Sequence, residues 1–388
     1  MDSHADRATA WLADKRREME SALAMLVNVN SYTENAEGGR QVGTLLLELF
    51  ADQSVEAIDQ PSERFADHRV FRTRPALPNR NAVALVGHLD TVFPPGTFEG
   101  YRREGEHACG PGVLDMKGGL VVMAYALKAL AATGGLDAVV PVRVVVVSDE
   151  EVGSPEGQGV IAATIAGSSA CLVFEAGREK DAIITRRNGT GALSVTAYGR
   201  AAHAGNAHAE GANAIWALAR FVDGAQKLTN YDRAATVNVG RIAGGQTKNT
   251  VPDRAEAHVD LRFRSRQDGE ELVVSLRSIA EQAASSVPGT RLELHGGIAR
   301  LPLERSEMSA RLYAEYAACA RAHGLGDGEA PPIGGGSDAS TASALGIAAI
   351  DGLGPRGSGF HTRDERIEVA TLVPKTQALA RFLAQRSV

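Results

Sequence analysis

The sequence predicts an α/β fold with an open sheet, interrupted by an inserted α+β domain. In the first half of the chain, apolar β-branched segments such as 138–148 alternate with segments of helical spacing, a pattern typical of a parallel sheet. After Gly189, segment 255–265 instead alternates strictly between apolar and polar residues, which indicates a sheet with one packed and one polar face. From about residue 298 the α/β pattern returns, so we expect a discontinuous first domain.

Each element follows from its local pattern. In the first domain, residues 1–188 and 298–388, the apolar spacing predicts helices at 7–29, 41–50, 116–132, 307–323, 338–345 and 369–385, and strands at 81–87, 138–148, 170–174 and 347–351. In the inserted domain, 189–297, it predicts strands at 193–198, 234–242, 255–265 and 291–296, with helices at 211–227 and 269–285. Their β-α-β-β-α-β order is that of a ferredoxin-like domain.

Composition excludes several classes of function. The chain has 388 residues, a net charge of −6 and no run of Lys and Arg, so neither nucleic acid nor an anionic membrane is an expected partner. The polar first 20 residues lack the apolar stretch of a signal peptide, and no segment of about 18 apolar residues exists to span a membrane. Three scattered cysteines without a C-x-x-C pair favour a cytoplasmic protein in which they serve packing; Cys109, near Asp115, leaves a role near the site open.

Acidic and imidazole side chains recur where the predicted strands end, beside Gly-rich turns, or just before a helix. They are His88 and Asp90, Asp115, Asp149 with Glu150 and Glu151, Glu175, and His361. Ligands of open α/β sheets bind beyond the carboxyl ends of the strands, and buried carboxylates need a partner. Two His and several carboxylates suit two Zn²⁺ ions, with Co²⁺ or Mn²⁺ as alternatives. One carboxylate would bridge the two ions, and the pair would activate a water molecule.

These motifs resemble those of the M20 metallopeptidases, and in particular the glutamate carboxypeptidases of the carboxypeptidase G2 type. The resemblance runs from about residue 20 to the C-terminus and keeps the order and spacing of the motifs. It implies a dinuclear zinc-peptidase domain with an inserted dimerisation or lid domain. It also implies that Asp115 bridges the metals, that His88 and Glu175 complete one site, and that Glu151 and His361 complete the other.

The resemblance assigns two more carboxylates and shows two departures. Asp90 would orient the imidazole of His88, and Glu150 would be the general base and later the acid for the leaving amine. Relatives often have a cis peptide after the bridging residue, here Asp115–Met116. Some relatives carry Asp in place of Met116, and the carboxypeptidases commonly have Pro where this chain has Ala176. Neither departure removes a ligand.

The family pattern also extends to the inserted domain. His203 matches a residue that reaches the active site of the partner subunit and stabilises the oxyanion, which implies a homodimer, unless the monomer closes on itself; alternatively His203 is an ordinary loop residue. Substrate-binding residues carried over in the same way are Arg262, Asn249, Arg300, Gly336 and Ser337. Arg262 and Asn249 would hold the terminal carboxylate of the leaving amino acid, and Arg300 would hold an acidic side chain or form a surface ion pair.

The resulting hypothesis is a zinc-dependent hydrolase. A metal-activated water would attack an amide bond and release a C-terminal amino acid, Glu or Asp, from an N-acyl or peptidyl substrate. The alternatives are a deacylase of the acetylornithine or succinyl-diaminopimelate type, and an aminoacylase or dipeptidase of broad range, which share the ligands. A non-catalytic binding protein on the same fold is disfavoured, because Glu150 and every ligand are present.

Overall fold

The computed structural model describes residues 3–52, 54–73 and 82–386. The chain forms two compact units. The first unit comprises residues 1–186, 305–332 and 337–388, and the second comprises 187–304 and 333–336. Strand 291–300 continues past the expected boundary at 297, and a short segment before Ser337 returns to the second unit.

The helices and strands of the described residues are as follows. The helices are α1 His4–Leu12, α2 Arg16–Val27, α3 Ala36–Leu49, α4 Lys117–Gly134, α5 Gly157–Ile165, α6 Ala214–Gln226, α7 Arg266–Ser286, α8 Glu307–Arg321, α9 Ala339–Ala344 and α10 Leu372–Gln385. The strands are β1 Glu56–Gln60, β2 His68–Arg72, β3 Val83–His88, β4 Arg102–Glu104, β5 His107–Cys109, β6 Val142–Val147, β7 Ala170–Val173, β8 Gly189–Tyr198, β9 Ala202–His203, β10 Thr236–Gly244, β11 Thr250–Val251, β12 Arg254–Phe263, β13 Arg291–Arg300, β14 Ala349–Ile350, β15 Gly357–Ser358 and β16 Arg366–Glu368.

The main sheet of the first unit confirms the open mixed α/β architecture. Its strand order is β1-β2-β6-β3-β7-β14. Strands β6, β3, β7 and β14 are parallel, β2 is antiparallel to β6, and β1 is antiparallel to β2. The central strands β3, β6 and β7 are buried along their whole length, which explains why they read as continuous apolar runs. Because β3 lies between β6 and β7, the residues that follow these three strands emerge side by side at one edge of the sheet.

A second, smaller sheet in the first unit was not expected from the sequence. It has the order β15-β16-β5-β4 and consists of strands of two or three residues, which are too short to show a periodic pattern. The loop after β5 leads to Asp115, and the loop between β15 and β16 carries His361. This sheet therefore holds the two loops whose candidate ligands, Asp115 and His361, do not follow a strand of the main sheet.

Other elements correct the expectations from periodicity. The helix expected at 7–29 is two helices, α1 and α2, separated at 13–15; α1 packs on α4 and α10, and α2 packs on α4 and α3. Strands β1 and β2 and helix α5 were not expected. β1 is largely exposed and rich in polar residues, and helix α5 carries glycines at its start, so neither has a clear apolar period. Of the expected strand at 81–87, Asn81 lies outside the described residues, and the strand begins at Val83.

The second unit is an antiparallel sheet of order β10-β12-β8-β13. Helices α6 and α7 pack on one face and enclose a separate hydrophobic core. The alternation expected on β12 is confirmed, since the residues of its apolar set are all buried: Ala255, Ala257, Val259, Leu261 and Phe263. With its β-α-β-β-α-β connectivity, this strand order is the ferredoxin-like arrangement.

The three cysteines are all buried, in agreement with a packing role. Among the described residues, no helix combines the length and the apolar character needed to cross a membrane.

Candidate metal centre

Asp115 lies between two imidazoles. One of its carboxylate oxygens, Oδ1, is 3.3 Å from Nε2 of His88, and the other, Oδ2, is 3.4 Å from Nε2 of His361. His88 is the last residue of β3 and is 1% exposed. Asp115 is 7% exposed and is followed by a cis peptide bond to Met116, as the resemblance implies. A carboxylate with one oxygen towards each of two imidazoles has the arrangement expected of a metal bridge.

The remaining acids surround this triad. Glu151 Oε2 is 3.0 Å from Nε2 of His361, and Glu175 Oε1 is 3.7 Å from Nε2 of His88. Candidate ligand atoms of His88, Asp115 and Glu151 lie within 4.8 Å of one another, and so do those of His88, Glu150 and Glu175. The structure therefore brings together every residue that the sequence assigned to the two metals, and places Glu150 beside them.

His361 occupies an unusual backbone position. Its φ is +61°, in the left-handed region that non-glycine residues seldom adopt and that is often found at functional sites. The side chain is about half exposed, in contrast to the buried His88. The site thus has one buried imidazole, that of His88, and one half-exposed imidazole, that of His361.

Asp90 contacts the Glu150–Glu151 turn as well as His88, which the sequence did not indicate. It is 1% exposed, and Nδ1 of His88 lies 3.0 Å from its backbone carbonyl oxygen and 3.3 Å from its Oδ1, so backbone and carboxylate of Asp90 both orient this imidazole. Its oxygens also accept hydrogen bonds from the backbone N–H groups of Glu150 and Glu151, both at 3.2 Å, and from the hydroxyl of Thr33 at 2.7 Å. Asp90 therefore contacts both the candidate ligand at the end of β3 and the turn that carries Glu150 and Glu151.

Asp149 supports the same turn from its other side. It is completely buried, and its Oδ2 accepts hydrogen bonds from the N–H groups of Glu156 at 2.8 Å and Gly157 at 3.0 Å. Burial raises the pKa of its carboxyl group, although these two hydrogen bonds oppose the effect. Its side chain therefore fixes the start of α5.

The acids and imidazoles of the cluster shift one another's pKa values. Burial alone would lower the pKa of His88, but the carboxylates of Asp115, Asp90 and Glu175 raise it well above its ordinary value. Hydrogen bonds to Asp115 and Glu151 raise the pKa of His361 to about 10. Burial raises the pKa of Glu151 to about 7 and, with the nearby charge of Asp115, raises that of Glu175 well above its usual range. Positive charge is therefore strongly favoured at this position.

The donor set fits divalent cations. Two imidazole nitrogens and carboxylates from three separate loops converge at one point, most of them buried. Buried carboxylates in such numbers are stable only with compensating charge, and nitrogen with carboxylate oxygen is the ligand chemistry of zinc and its neighbours in the first transition series.

Sequence reasoning missed Glu365, a residue of the His361 loop. It is 1% exposed and accepts hydrogen bonds from the backbone N–H groups of Gly112, Leu114 and Asp115. Nothing in its charged neighbourhood, Thr362-Arg363-Asp364, marks it as buried. The available signal was its position four residues after a candidate ligand.

The candidate substrate residues of the second unit fall into two groups. In the first group, Arg262 and Arg300 are both register partners of Thr190, on the strands that flank β8. A Cβ atom on Gly336 would lie 3.3 Å from Cδ of Arg300, so the Gly-rich loop adjoins the same end of the sheet. Arg262 donates to Asp260 from Nε at 2.9 Å and Nη2 at 3.0 Å, which fixes the plane of its guanidinium.

The second group lies at the opposite end of the sheet. His203 on β9 pairs with Thr250 on β11, and the carbonyl of Asn249 accepts a hydrogen bond from Ala204 at 2.9 Å. Nδ1 of the exposed His203 accepts backbone hydrogen bonds from Gly205 and Asn206, both at 3.1 Å. The structure brings His203 and Asn249 together but separates them from Arg262 and Arg300 by most of the length of β12.

Ser337 lies in the first unit and is 1% exposed. Its hydroxyl donates to Oδ2 of the buried Asp351 at 2.7 Å. The same hydroxyl accepts a hydrogen bond from the N–H of Ala339, and the backbone carbonyl of Ser337 accepts one from Ser340, so both groups are engaged inside the first unit.

Comparison with known proteins agrees with this geometry. Residues 84–385, which include all the candidate ligands, match the model of peptidase family M20/M25/M40. The chain is 26% identical to carboxypeptidase G2 of Pseudomonas sp. (strain RS-16) over 378 residues, which cover 95% of this chain and 89% of that protein. It is 27% identical to succinyl-diaminopimelate desuccinylase of Novosphingobium aromaticivorans over 250 residues, covering 60% of this chain and 64% of that one.

Among solved structures, the chain is similar to aminopeptidase PepT from Bacillus cereus ATCC 10987. The TM-score is 0.79 at 19% identity, and the match covers 95% of this chain and 98% of that one. The fold is thus shared well beyond the range of clear sequence similarity. From its fold, its motifs and the match over most of its length, this chain belongs to peptidase family M20/M25/M40 and is a peptidase or amidohydrolase.

Proposed function

We propose that this enzyme hydrolyses the amide bond that links a C-terminal Glu or Asp to an N-acyl or peptidyl group, with two divalent cations, zinc in the first instance. The observation that carries the proposal is the position of Asp115, with one carboxylate oxygen directed to each of two imidazoles. His88 and Glu175 lie on one side of it, and His361 and Glu151 lie on the other. When bound, the cations would polarise the scissile carbonyl and lower the pKa of a water molecule.

Glu150 is the residue placed to move protons. It follows β6, is half-buried, and has a carboxylate oxygen within 4.8 Å of candidate ligand atoms of His88 and Glu175. Asp90 holds its backbone N–H, so the carboxylate is presented from a fixed turn. A carboxylate so placed accepts a proton from the attacking water and returns it to the departing amine.

The preference for an acidic leaving residue is supported by the two arginines at one end of the second unit. Arg262 and Arg300 both lie in register with Thr190, and two guanidinium groups suit a substrate with two carboxylates. The similarity to carboxypeptidase G2 favours the same branch.

The experiment is to incubate zinc-loaded protein with a pooled panel of amides and follow each by mass spectrometry. The panel contains N-acyl-glutamates and aspartates, folate, dipeptides, acetylornithine and succinyl-diaminopimelate. We expect loss of the acyl-acidic compounds only, and no loss with Glu150→Ala. Loss of the basic amides instead would favour the alternative, a deacylase of the kind to which the similarity with succinyl-diaminopimelate desuccinylase points.

We further propose that the enzyme acts as a homodimer in which His203 and Asn249 serve the active site of the partner subunit. Eight residues of β12 separate the end near these two residues from Arg262, a span of about 26 Å at 3.3 Å per residue. A small substrate cannot bridge that distance, so one second unit alone cannot present both groups to it. The exposed edge strand β10, with Ile242 56% exposed, and Trp216 on α6, 51% exposed, offer a surface for the second copy.

Complementation tests this arrangement. Co-expressed Glu150→Ala and His203→Ala chains form mixed dimers in which one of the two sites is intact. The proposal predicts that two nearly inactive variants together recover about a quarter of the wild-type activity, the statistical share of intact sites in a C2 dimer. Lack of recovery in dimers proved to be mixed by differential tagging would refute a role in trans.

A further inference from the structure

Glu365 joins the two ligand loops that arise from the small sheet. It follows His361 by four residues and immediately precedes β16. Its Oε1 accepts hydrogen bonds from the backbone N–H groups of Leu114 at 2.9 Å and Asp115 at 3.0 Å, and its Oε2 accepts one from Gly112 at 3.0 Å. A single buried carboxylate of the His361 loop thus holds three N–H groups of the Asp115 loop, including that of Asp115 itself.

The backbone ties the same two loops together. Arg366 on β16 pairs with Cys109 on β5, and the carbonyl of Glu365 accepts a hydrogen bond from Gly110. Between Gly110 and Asp115, no other side chain of the described residues accepts a hydrogen bond from these backbone N–H groups. The path of the loop that ends in Asp115 is therefore set by β5 at its start and by the carboxylate of Glu365 along the rest.

The loop that leads to Asp115 depends on these hydrogen bonds because its glycines do not fix its conformation. Gly110 and Gly112 have φ values of +148° and +77°, conformations that glycine adopts freely and that local propensity does not fix. Buried N–H groups without an acceptor are costly, and three of them converge on one charged acceptor here. Hydrogen bonds to charged groups are stronger than neutral ones, so the carboxylate selects one loop conformation.

We propose that Glu365 is a positioning residue that sets Asp115 and His361 in one mutual geometry, so that affinity for the metal ions depends on it although it touches neither ligand side chain. This inference rests on the proposed metal site. Metal ligands must be held to within about 0.5 Å of their working positions, and groups behind the ligands commonly change metal affinity 10- to 100-fold. Loss of the three hydrogen bonds would let Asp115 move relative to His361.

The test compares Glu365→Ala and Glu365→Gln with a matched control, Glu368→Gln. Glu368 lies three residues further along and forms its ion pair with Arg356 at 3.2 Å, away from the ligand loops. Two quantities are measured for each protein: the rate of amide hydrogen exchange in segment 110–116 without metal, and the affinity for Zn²⁺ by competition with a chelating dye.

We expect exchange in segment 110–116 to accelerate about tenfold or more in Glu365→Ala, as for the loss of a charge-assisted hydrogen bond, and Zn²⁺ affinity to fall about 10- to 100-fold. Glu365→Gln retains one acceptor oxygen and should lie between Glu365→Ala and the wild type. Glu368→Gln should match the wild type in both. If Glu365→Ala does not fold, Glu365→Gln alone decides the matter by the same two measurements.

Unchanged exchange and affinity in the folded Glu365 variants would overturn the inference, as would faster exchange spread equally over the whole first unit. Faster exchange with unchanged metal affinity would also overturn it, because the residue would then be structural only. A wild-type protein that binds no Zn²⁺ would instead refute the proposed metal site, and the exchange result would show separately whether Glu365 holds the loop.

Discussion

The substitution Asp90→Asn tests how far catalysis depends on the buried carboxylate behind His88. Asn has the shape of Asp but keeps a single acceptor oxygen, whereas Asp90 accepts hydrogen bonds from Thr33, Glu150 and Glu151 and lies 3.3 Å from His88. The NH2 nitrogen of Asn is a donor only and cannot accept from a backbone N–H, so at least one bond to the Glu150–Glu151 turn is lost. A hydrogen bond to a charged group contributes about 1.5–3 kcal/mol.

That loss corresponds to roughly a 10- to 100-fold decrease in kcat/KM, accompanied by weaker metal binding, because both the candidate ligand His88 and the proposed general base Glu150 lose support. Asp90→Ala should also destabilise the fold by about 1–3 kcal/mol, since two part-buried N–H groups and the hydroxyl of Thr33 lose their acceptor, while His88 keeps its contact with the backbone carbonyl of residue 90. The assay is kcat/KM at saturating Zn²⁺, with zinc affinity and denaturant unfolding measured in parallel.

Thr33→Val is the matched control. It removes one hydrogen bond to the same carboxylate and leaves the contacts of Asp90 with the turn and with His88 intact. We expect about 1 kcal/mol of lost stability and only a small change in kcat/KM. If Asp90→Asn retains the activity and metal affinity of Thr33→Val, this carboxylate does not position His88 and the Glu150–Glu151 turn.

Three other predictions concern protons, specificity and packing. First, zinc binding at pH 7 should release protons and become tighter as the pH rises from 6 to 8, because the pKa of His361 is raised to about 10 and that of Glu151 to about 7 in the metal-free protein. The measurement is calorimetry in two buffers of different ionisation enthalpy. Equal heats of zinc binding in the two buffers would contradict the prediction. Second, Arg300→Met should raise KM for acyl-glutamates about 10- to 100-fold, as for the loss of a charge-assisted hydrogen bond, with little effect on amides of neutral residues; an equal change for both would make Arg300 structural. Third, a methyl group at Gly119 of α4 would overlap the carbonyl oxygen of Phe174, beside Glu175, so Gly119→Ala should destabilise the protein by about 1–3 kcal/mol. The control Gly159→Ala on α5 has open space around it and should be neutral or stabilising. Equal denaturation midpoints for the two variants would contradict this close packing of α4 against Phe174.

Sequence reasoning located the candidate ligands because they follow elements with strong patterns. Strands β3, β6 and β7 are uniformly apolar and buried, so the residues after them, His88, Glu150 with Glu151, and Glu175, could be placed at one edge of a sheet. The alternation on β12 likewise fixed which residues are buried and placed Arg262 on the polar face. In these four strands, burial alone determines which positions carry apolar side chains.

The parts that could not be predicted depend on contacts between distant segments. The small sheet of β4, β5, β15 and β16 consists of two- and three-residue strands, whose pairing is decided by tertiary position. Nothing local shows that Glu365 is buried, or that Asp90 holds the Glu150–Glu151 turn, because each acts on backbone groups far away in sequence. The separation of His203 and Asn249 from Arg262 depends on which end of β12 each residue lies near. Strand register determines this, and a sequence motif gives no information about register.

The most direct test of the metal centre is an anomalous diffraction map collected at the zinc edge from crystals of the zinc-loaded protein. The account predicts two peaks per chain, about 3.5–4 Å apart, with Asp115 between them, His88 and Glu175 on one, and His361 and Glu151 on the other. No peak at this position, or a single peak at full zinc occupancy with Asp115 bound through one oxygen only, would contradict it.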